Sequence, residues 1–193
     1  MNLAREIKND AAAAAAANWR GDEFFYKGDD RSAREQYDRA LQLATKASNR
    51  EQVLLSKVDK AKTDVTQGHA AAAIGALKKL EQDADTLGLK SLAVECSVYL
   101  GAALHAGKDT RAARQELDKA LARAEKLGLR VLQAKAHYYL ALSGTPKEAT
   151  PHYREVVRIL EGISREGGSA RLLERADLQS LYRDSMKAFQ GGN

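Results

Sequence analysis

A pattern of small and large apolar residues recurs in this chain every 40 residues. Ala33, Ala73 and Ala113 fall in one register, followed by Tyr37, Leu77, Leu117 and Val157, then by Ala40, Leu80, Ala120 and Leu160. Self-similarity at a fixed period of this length is the mark of a stacked array, in which each unit buries its apolar face against the next. The joints repeat with the same period. ADTLGLKS and AEKLGLRV place Gly88 and Gly128 forty residues apart, with Ser48 and Gly168 at the matching outer positions. Glycine just past a helix takes the left-handed backbone that ends it, and the next residue, Leu89 or Leu129, can fold back onto the last turn.

Within each period a second break occurs, at KGDDRS, TQGHAA, AGKDTR and SGTPKE, where Gly28, Gly68, Gly107 and Gly144 sit beside residues that start helices. Each unit therefore reads as a helical hairpin. The expected pairs are 3–27 with 30–47, 50–66 with 69–87, 90–106 with 109–127, and 130–143 with 147–165. A ninth helix at about 170–189 carries Leu173, Ala176, Leu181, Tyr182 and Phe189 and reads as a cap over the last apolar face. The composition agrees: two prolines and abundant Ala, Leu, Glu, Lys and Arg in 193 residues point to an all-α chain. The tract Ala11–Ala17, flanked by Glu6 and Asp10, reads as helix, since a secretory leader needs a basic start and a leucine-rich core.

At WRGDEFF followed by GDDRSAREQYDRAL, the sequence resembles the tetratricopeptide repeat family through Gly21, Phe24, Ala33, Tyr37 and Ala40. YLGAALHAGKDTRAARQELDKAL resembles it equally through Gly101, Leu104, Ala113, Leu117 and Ala120. In the second unit Ala61 stands at the glycine position and Asp64 at an apolar one. In the fourth, Tyr153 replaces the small alanine and Pro151 interrupts a helix start. The resemblance covers about residues 14–168. A 40-residue unit exceeds the usual 34 and is similar to the long-helix members, such as kinesin light chains and bacterial peptide-sensing regulators. The tail is similar to the end of repeat arrays attached to larger bacterial signalling proteins, including serine/threonine kinases.

The resemblance implies a right-handed superhelical solenoid of four hairpins and a C-terminal capping helix. It forms one domain over residues 1–193, with repeats at about 10–48, 49–88, 89–128 and 129–168. It further implies a non-catalytic module that binds a protein or peptide segment in its concave groove, as one part of a larger regulator. The alternative is a ligand- or peptide-sensing domain whose superhelix changes shape on binding. The implied groove positions are Asn18, Asp22, Phe25 and Tyr26, then Leu55, Val58, Lys62 and Val65, then Glu95, Val98, Ala102 and His105, and finally Lys135, Tyr138 and Leu142. Phe25 and Tyr26 are expected to be exposed, whereas Val58, Val65 and Val98 read equally well as core. Members that grip a carboxy-terminal carboxylate use Lys, Arg and Asn at positions that here hold Asn18, Asp22, Val58, Val98 and Ala102. Such a clamp is not expected.

Other functions find little support in the residues. The excess of 31 basic over 26 acidic side chains gives a net charge of +5. Acids and bases nevertheless alternate at helical spacing in RQELDKALARAEK and RLLERADLQSLYRD, as on a solvated surface, so no nucleic-acid partner is expected. No run reaches the length of a membrane span, and the lone Cys96 fits a reducing cytoplasm. No cofactor or metal is expected: His69, His105, His137 and His152 occupy different phases of the repeat, and no CxxC or HExxH spacing exists. Cys96 and His137 could approach as a thiolate pair, but a buried packing thiol is the favoured reading. Trp19 is expected to pack in the first hairpin. Homodimerisation through the groove or the last helix is a further expectation, because an imperfectly capped array exposes apolar surface.

Overall fold

The computed structural model describes residues 3–166 and 170–190, and is 88% helical with no strand among the described residues. Nine α-helices follow one another: α1 (Leu3–Tyr26), α2 (Asp30–Lys46), α3 (Arg50–Thr66), α4 (Ala70–Thr86), α5 (Lys90–Ala106), α6 (Thr110–Lys126), α7 (Arg130–Leu142), α8 (Pro146–Glu166) and α9 (Ala176–Gln190). A short 3-10 turn, Ala170–Glu174, precedes α9, so the expected single last helix is broken. The starts of α2, α4 and α6 fall at 30, 70 and 110, and those of α3, α5 and α7 at 50, 90 and 130. The period in sequence is thus a period in structure.

Turn chemistry explains the spacing. Ser48, Gly28, Gly68, Lys108, Gly88 and Gly128 all have positive φ, and the residue after each returns an N–H to the preceding helix, as when Leu89 and Leu129 donate to the Ala84 and Ala124 carbonyls (both 2.9 Å). Gly107, expected to break its unit, is instead the last helical-type residue. Lys108 takes the left-handed position, forty residues after Gly68. Asp29, Asn49 and Asp109 cap the following helices through the N–H groups of Ser32, Gln52 and Ala112. Gly168 lies outside the described residues. In the last unit α8 starts at Pro146, where a missing N–H costs nothing, and continues through Pro151, which therefore does not interrupt its start. Thr145 and Glu148 form a capping box ahead of it, the Thr145 N–H and hydroxyl both donating to Glu148 Oε2 (2.9 Å each).

Consecutive helices pack antiparallel in pairs, and α1, α3, α5 and α7 also touch one another in order, forming an inner layer. The outer helices α2, α4, α6 and α8 do not pack directly on one another, so the layer they form is the wider one. Close approach within a pair rests on small residues placed symmetrically about the cap. A Cβ on Gly21 would lie 2.4 Å from the Tyr37 ring, and one on Gly101 would lie 2.4 Å from Leu117. Ala61 and Leu77 occupy the same places in the second pair, both buried in the main core with Leu54, Val58, Ala73, Tyr99 and Leu100. Val58 and Val98 are fully buried, Val65 packs against the cluster of Val58, and Val98 packs with Val94, Ala120 and Ala136, so these three belong to the core. The last helix α9 packs on α8 through Leu178 and Leu181. It also touches α7 and α1.

Candidate functional site

The inner face carries a line of aromatic rings and cations. Lys62 of α3 is 4% exposed and lies between the rings of Phe25 (5.4 Å to the centroid) and Tyr99 (5.7 Å). Lys135 of α7 lies at the hydroxyl end of Tyr99, 5.0 Å from the ring centroid, and donates to its hydroxyl (2.7 Å). An ammonium between ring faces is held by the ring quadrupole, and desolvation strengthens the attraction. Burial alone would discharge these lysines, so each has carboxylate partners. Lys62 donates to Asp59 Oδ1 (2.9 Å) and to Glu95 Oε1 (2.8 Å), and Lys135 to Asp177 Oδ2 (2.6 Å).

These contacts set the protonation states. Although burial opposes its charge, Lys62 is held well above the ordinary lysine range by the carboxylates of Asp59 and Glu95. Burial raises the Glu95 carboxyl, but Lys62 and Lys135 outweigh it and leave that carboxyl below its usual range. Asp59 behaves differently: desolvation, helped by Asp22 and Glu95, outweighs Lys62 and pushes it up to about 7. Asp22 is also raised, first by burial, while accepting a hydrogen bond from the Tyr37 hydroxyl (2.8 Å). Asn18, 1% exposed, completes this end by donating to Asp59 Oδ2 (3.4 Å) and accepting from the Ser56 hydroxyl (3.0 Å).

The inner face is not open along its whole length. Arg175, just ahead of α9, stacks on Tyr26 of α1 (3.5 Å to the centroid) and donates to both oxygens of Asp177 (3.0 and 2.9 Å). Asp177 in turn joins Lys135, and Tyr138 of α7 donates to Asp184 of α9 (3.2 Å). The start of α9 thereby closes the face between the first and last inner helices. A cavity of about 200 Å³ remains beneath it, lined by Phe25, Thr66, Tyr99, Tyr139 and Ser180 among others. Gly28 borders this cavity, and a Cβ there would press on Ala176 (3.3 Å).

Most of the expected groove residues therefore share one face: Asn18, Asp22, Phe25, Tyr26, Lys62, Glu95 and Lys135 form a connected network, and Tyr138 joins it through α9. His105 stands apart, its Nδ1 paired with the Ser143 hydroxyl (3.0 Å). Phe25, expected to be exposed, is 2% exposed because it packs with Ala33 and Tyr37 under Lys62. Tyr26 is half-buried beneath Arg175. Sequence reading missed Asp59, Tyr99, Arg175 and Asp177. Asp59 and Tyr99 had a usable signal, since they lie forty residues apart and Asp59 precedes Lys62 by one helical turn. The same register explains Trp19, which is 79% exposed rather than packed. Position 19 corresponds to 59 and 99, which meet Asn18 and Lys62 of the preceding inner helix, and α1 is the first of the described helices.

One other expectation changes, and the reading of Cys96 as a buried packing thiol holds. His137 and His152 do converge, Nδ1 to Nδ1 at 2.9 Å, because they lie seven residues either side of the Gly144–Thr145 turn of one antiparallel hairpin. One nitrogen carries the proton and the other accepts it. Burial first, then the neighbouring His152, lowers His137 to about 4, so the pair is neutral near pH 7. Among the described residues no group of three His, Cys, Asp or Glu could hold a metal. Cys96 is buried, its thiol pushed well above its usual range by desolvation, and no hydrogen bond joins it to His137 among the described residues. No described helix is long and apolar enough to cross a membrane. No family model matches the chain, and no curated protein matches it.

Proposed function

We propose that the chain is a non-catalytic protein-interaction module of tetratricopeptide type. It is a right-handed superhelical solenoid of four hairpins and a capping helix, built to hold a protein or peptide segment against its concave face as part of a larger regulator. The observation that carries this reading is the Phe25–Lys62–Tyr99–Lys135 line, on which a helical segment of the chain itself, the start of α9, already rests through Asp177 and Arg175. Rings and desolvated cations in one row suit apolar and acidic side chains of a bound segment. No nucleic acid, membrane or cofactor enters this reading, and the setting is cytoplasmic.

A second reading, in which binding changes the shape of the superhelix, draws on the position of α9. Ala176, Asp177, Ser180 and Leu181 of α9 line the cavity of about 200 Å³, so a ligand larger than that space would displace the helix. Crosslinking tests both. A benzophenone attached at Ser180→Cys borders the cavity, and one at Glu125→Cys reports on the outer face; buried Cys96 is protected from labelling. A host protein captured from Ser180 and not from Glu125 supports the concave site, and ligand-dependent compaction in X-ray scattering supports sensing. Equal capture from both positions sinks the groove assignment.

A further inference from the structure

The outer helices are tied together by charge at some joints and left open at another. Between α4 and α6, Glu81 accepts from Lys119 (2.8 Å) and Arg123 (3.0 Å), and Arg123 reaches Asp85 (2.5 Å). Between α6 and α8, Arg114 pairs with Glu148 (2.9 Å). Forty residues before Glu81, Asp85, Lys119 and Arg123 stand Leu41, Thr45, Lys79 and Asp83. A leucine thus replaces the glutamate and a carboxylate replaces the arginine, so the α4/α6 seam has no counterpart between α2 and α4. A cleft of about 740 Å³ opens there, with Leu41 on one wall, Leu87 on the other, and Val53 and Leu54 of α3 at its floor. A second cavity of about 370 Å³ continues it past Ala61 and Ala76.

The rim of this cleft is unbalanced in charge. Arg34 and Lys60 are engaged by Asp64 and Asp38. Arg50, Lys57 and Lys79 make no ion pair among the described residues and face the single unpaired carboxylate of Asp83. An apolar trough edged by uncommitted cations calls for an occupant with an apolar stripe and acidic flanks. The walls are helices and offer no strand edge, so an extended segment would leave its backbone groups without partners, whereas a helix satisfies its own. The floor from Arg50 to Ala61 is about 16 Å long, three turns of helix.

We propose that the α2/α4 cleft is a docking site for an acidic amphipathic helix of a partner protein, laid along α3 on the outer face. Its apolar residues at i, i+4 and i+7 sit on Leu41, Val53, Leu54 and Ala76, and its acids meet Arg50, Lys57 and Lys79. This surface is separate from the concave one and does not depend on it.

The probe is a fluorescein-labelled, end-blocked helical peptide of about 16 residues with leucines at i, i+4 and i+7, a few glutamates flanking that stripe and alanine elsewhere, titrated by fluorescence anisotropy. Saturable, salt-sensitive binding is expected, at least about tenfold tighter than that of the same peptide with lysine for glutamate. Leu41→Glu combined with Asp83→Arg recreates the Glu81–Arg123 arrangement across the cleft and is expected to weaken binding at least about tenfold. Lys57→Glu with Lys79→Glu, both at exposed or half-exposed positions, is expected to do the same, and decides the matter if the first pair loses helicity. Absence of saturable binding overturns the proposal, as does equal binding of the lysine peptide or insensitivity to both pairs of substitutions. Self-association of the protein alone that the Leu41 and Asp83 changes abolish would assign the cleft to a second copy and overturn it too.

Discussion

Lys135–Asp177 and Arg123–Asp85 are both ion pairs that join helices far apart in sequence, yet they sit on opposite faces and do different work. The inner pair is 6% exposed on both sides and closes α9 onto α7. The outer pair is 26% and 48% exposed and only bridges α4 and α6. A desolvated pair adds little over an apolar replacement, but leaves a costly buried charge when one partner is removed. An exposed pair is screened, and its loss is nearly silent. Closure of the inner face is therefore held by contacts that fail abruptly, whereas the outer face can lose a seam, as at α2/α4, with little cost to the fold.

Asp177→Ala tests the difference most severely. It leaves Lys135 buried against Tyr99 and should cost about 3 kcal/mol, lowering the melting temperature by roughly 10 °C. Lys135→Met with Asp177→Leu should recover most of that loss. A melt of Asp177→Ala no lower than that of Asp85→Ala would erase the distinction between the faces.

Asp59 and Glu148 extend it to pH, with opposite signs. The Asp59 carboxyl is raised to about 7, mainly by burial, so its contribution is fully present below the ordinary carboxylate range and is lost as pH rises through about 7. Asp59→Asn cannot titrate. Its stability relative to wild type should improve from pH 4 to pH 7 and level off above, as urea midpoints at pH 5 and 8 would report; a mutant-minus-wild-type midpoint no higher at pH 8 than at pH 5 contradicts the assignment. Glu148, held down to about 2 by hydrogen bonds from Arg114 and Thr145, contributes above the ordinary range and loses that contribution as pH falls towards 2.

Two smaller effects set the scale. Lys108 holds a left-handed φ of 65°, so Lys108→Gly should stabilise by about 0.5–1 kcal/mol; destabilisation would mean that the lysine stem packs there. Asp85→Ala, which breaks the exposed pair and leaves Arg123 on Glu81, should cost less than about 1 kcal/mol and nothing measurable in about 1 M salt. A large, salt-resistant loss would give the outer seam the weight assigned here to the inner face.

Helix positions were readable in advance because each hairpin is built from local signals: a cap, a left-handed stop, and a small residue paired with a large one eight residues either side of the cap, as in Gly21 with Tyr37 about Asp29. The inner-face positions came from the resemblance to the repeat family rather than from local signals, and Asn18, Lys62, Glu95 and Lys135 do lie on one connected face. Its closure was not readable. Residues 175–190 lie outside the period, so no register says that Asp177 finds Lys135 or that Arg175 covers Tyr26. Nor does phase alone place His137 against His152, which are related by the mirror-like pairing of an antiparallel hairpin rather than by translation. Trp19 is exposed where packing is expected because a translational rule does not say whether a neighbouring helix covers a given repeat position; none of the described helices covers this one.

The meeting of Arg175 with Tyr26 also bears on how the chain folds and unfolds. In an open array each unit leans only on its neighbours, so the ends fray first and stability is nearly a sum of local terms. Here a contact between the two ends ties the first helix to the last, adding one interaction of very long sequence separation to a set of short ones. The local pairs can form early and fast, while the end-to-end contact must wait for the loop to close. Fraying at either end then costs the other its partner, so the molecule should melt as one cooperative unit rather than from its tips inward.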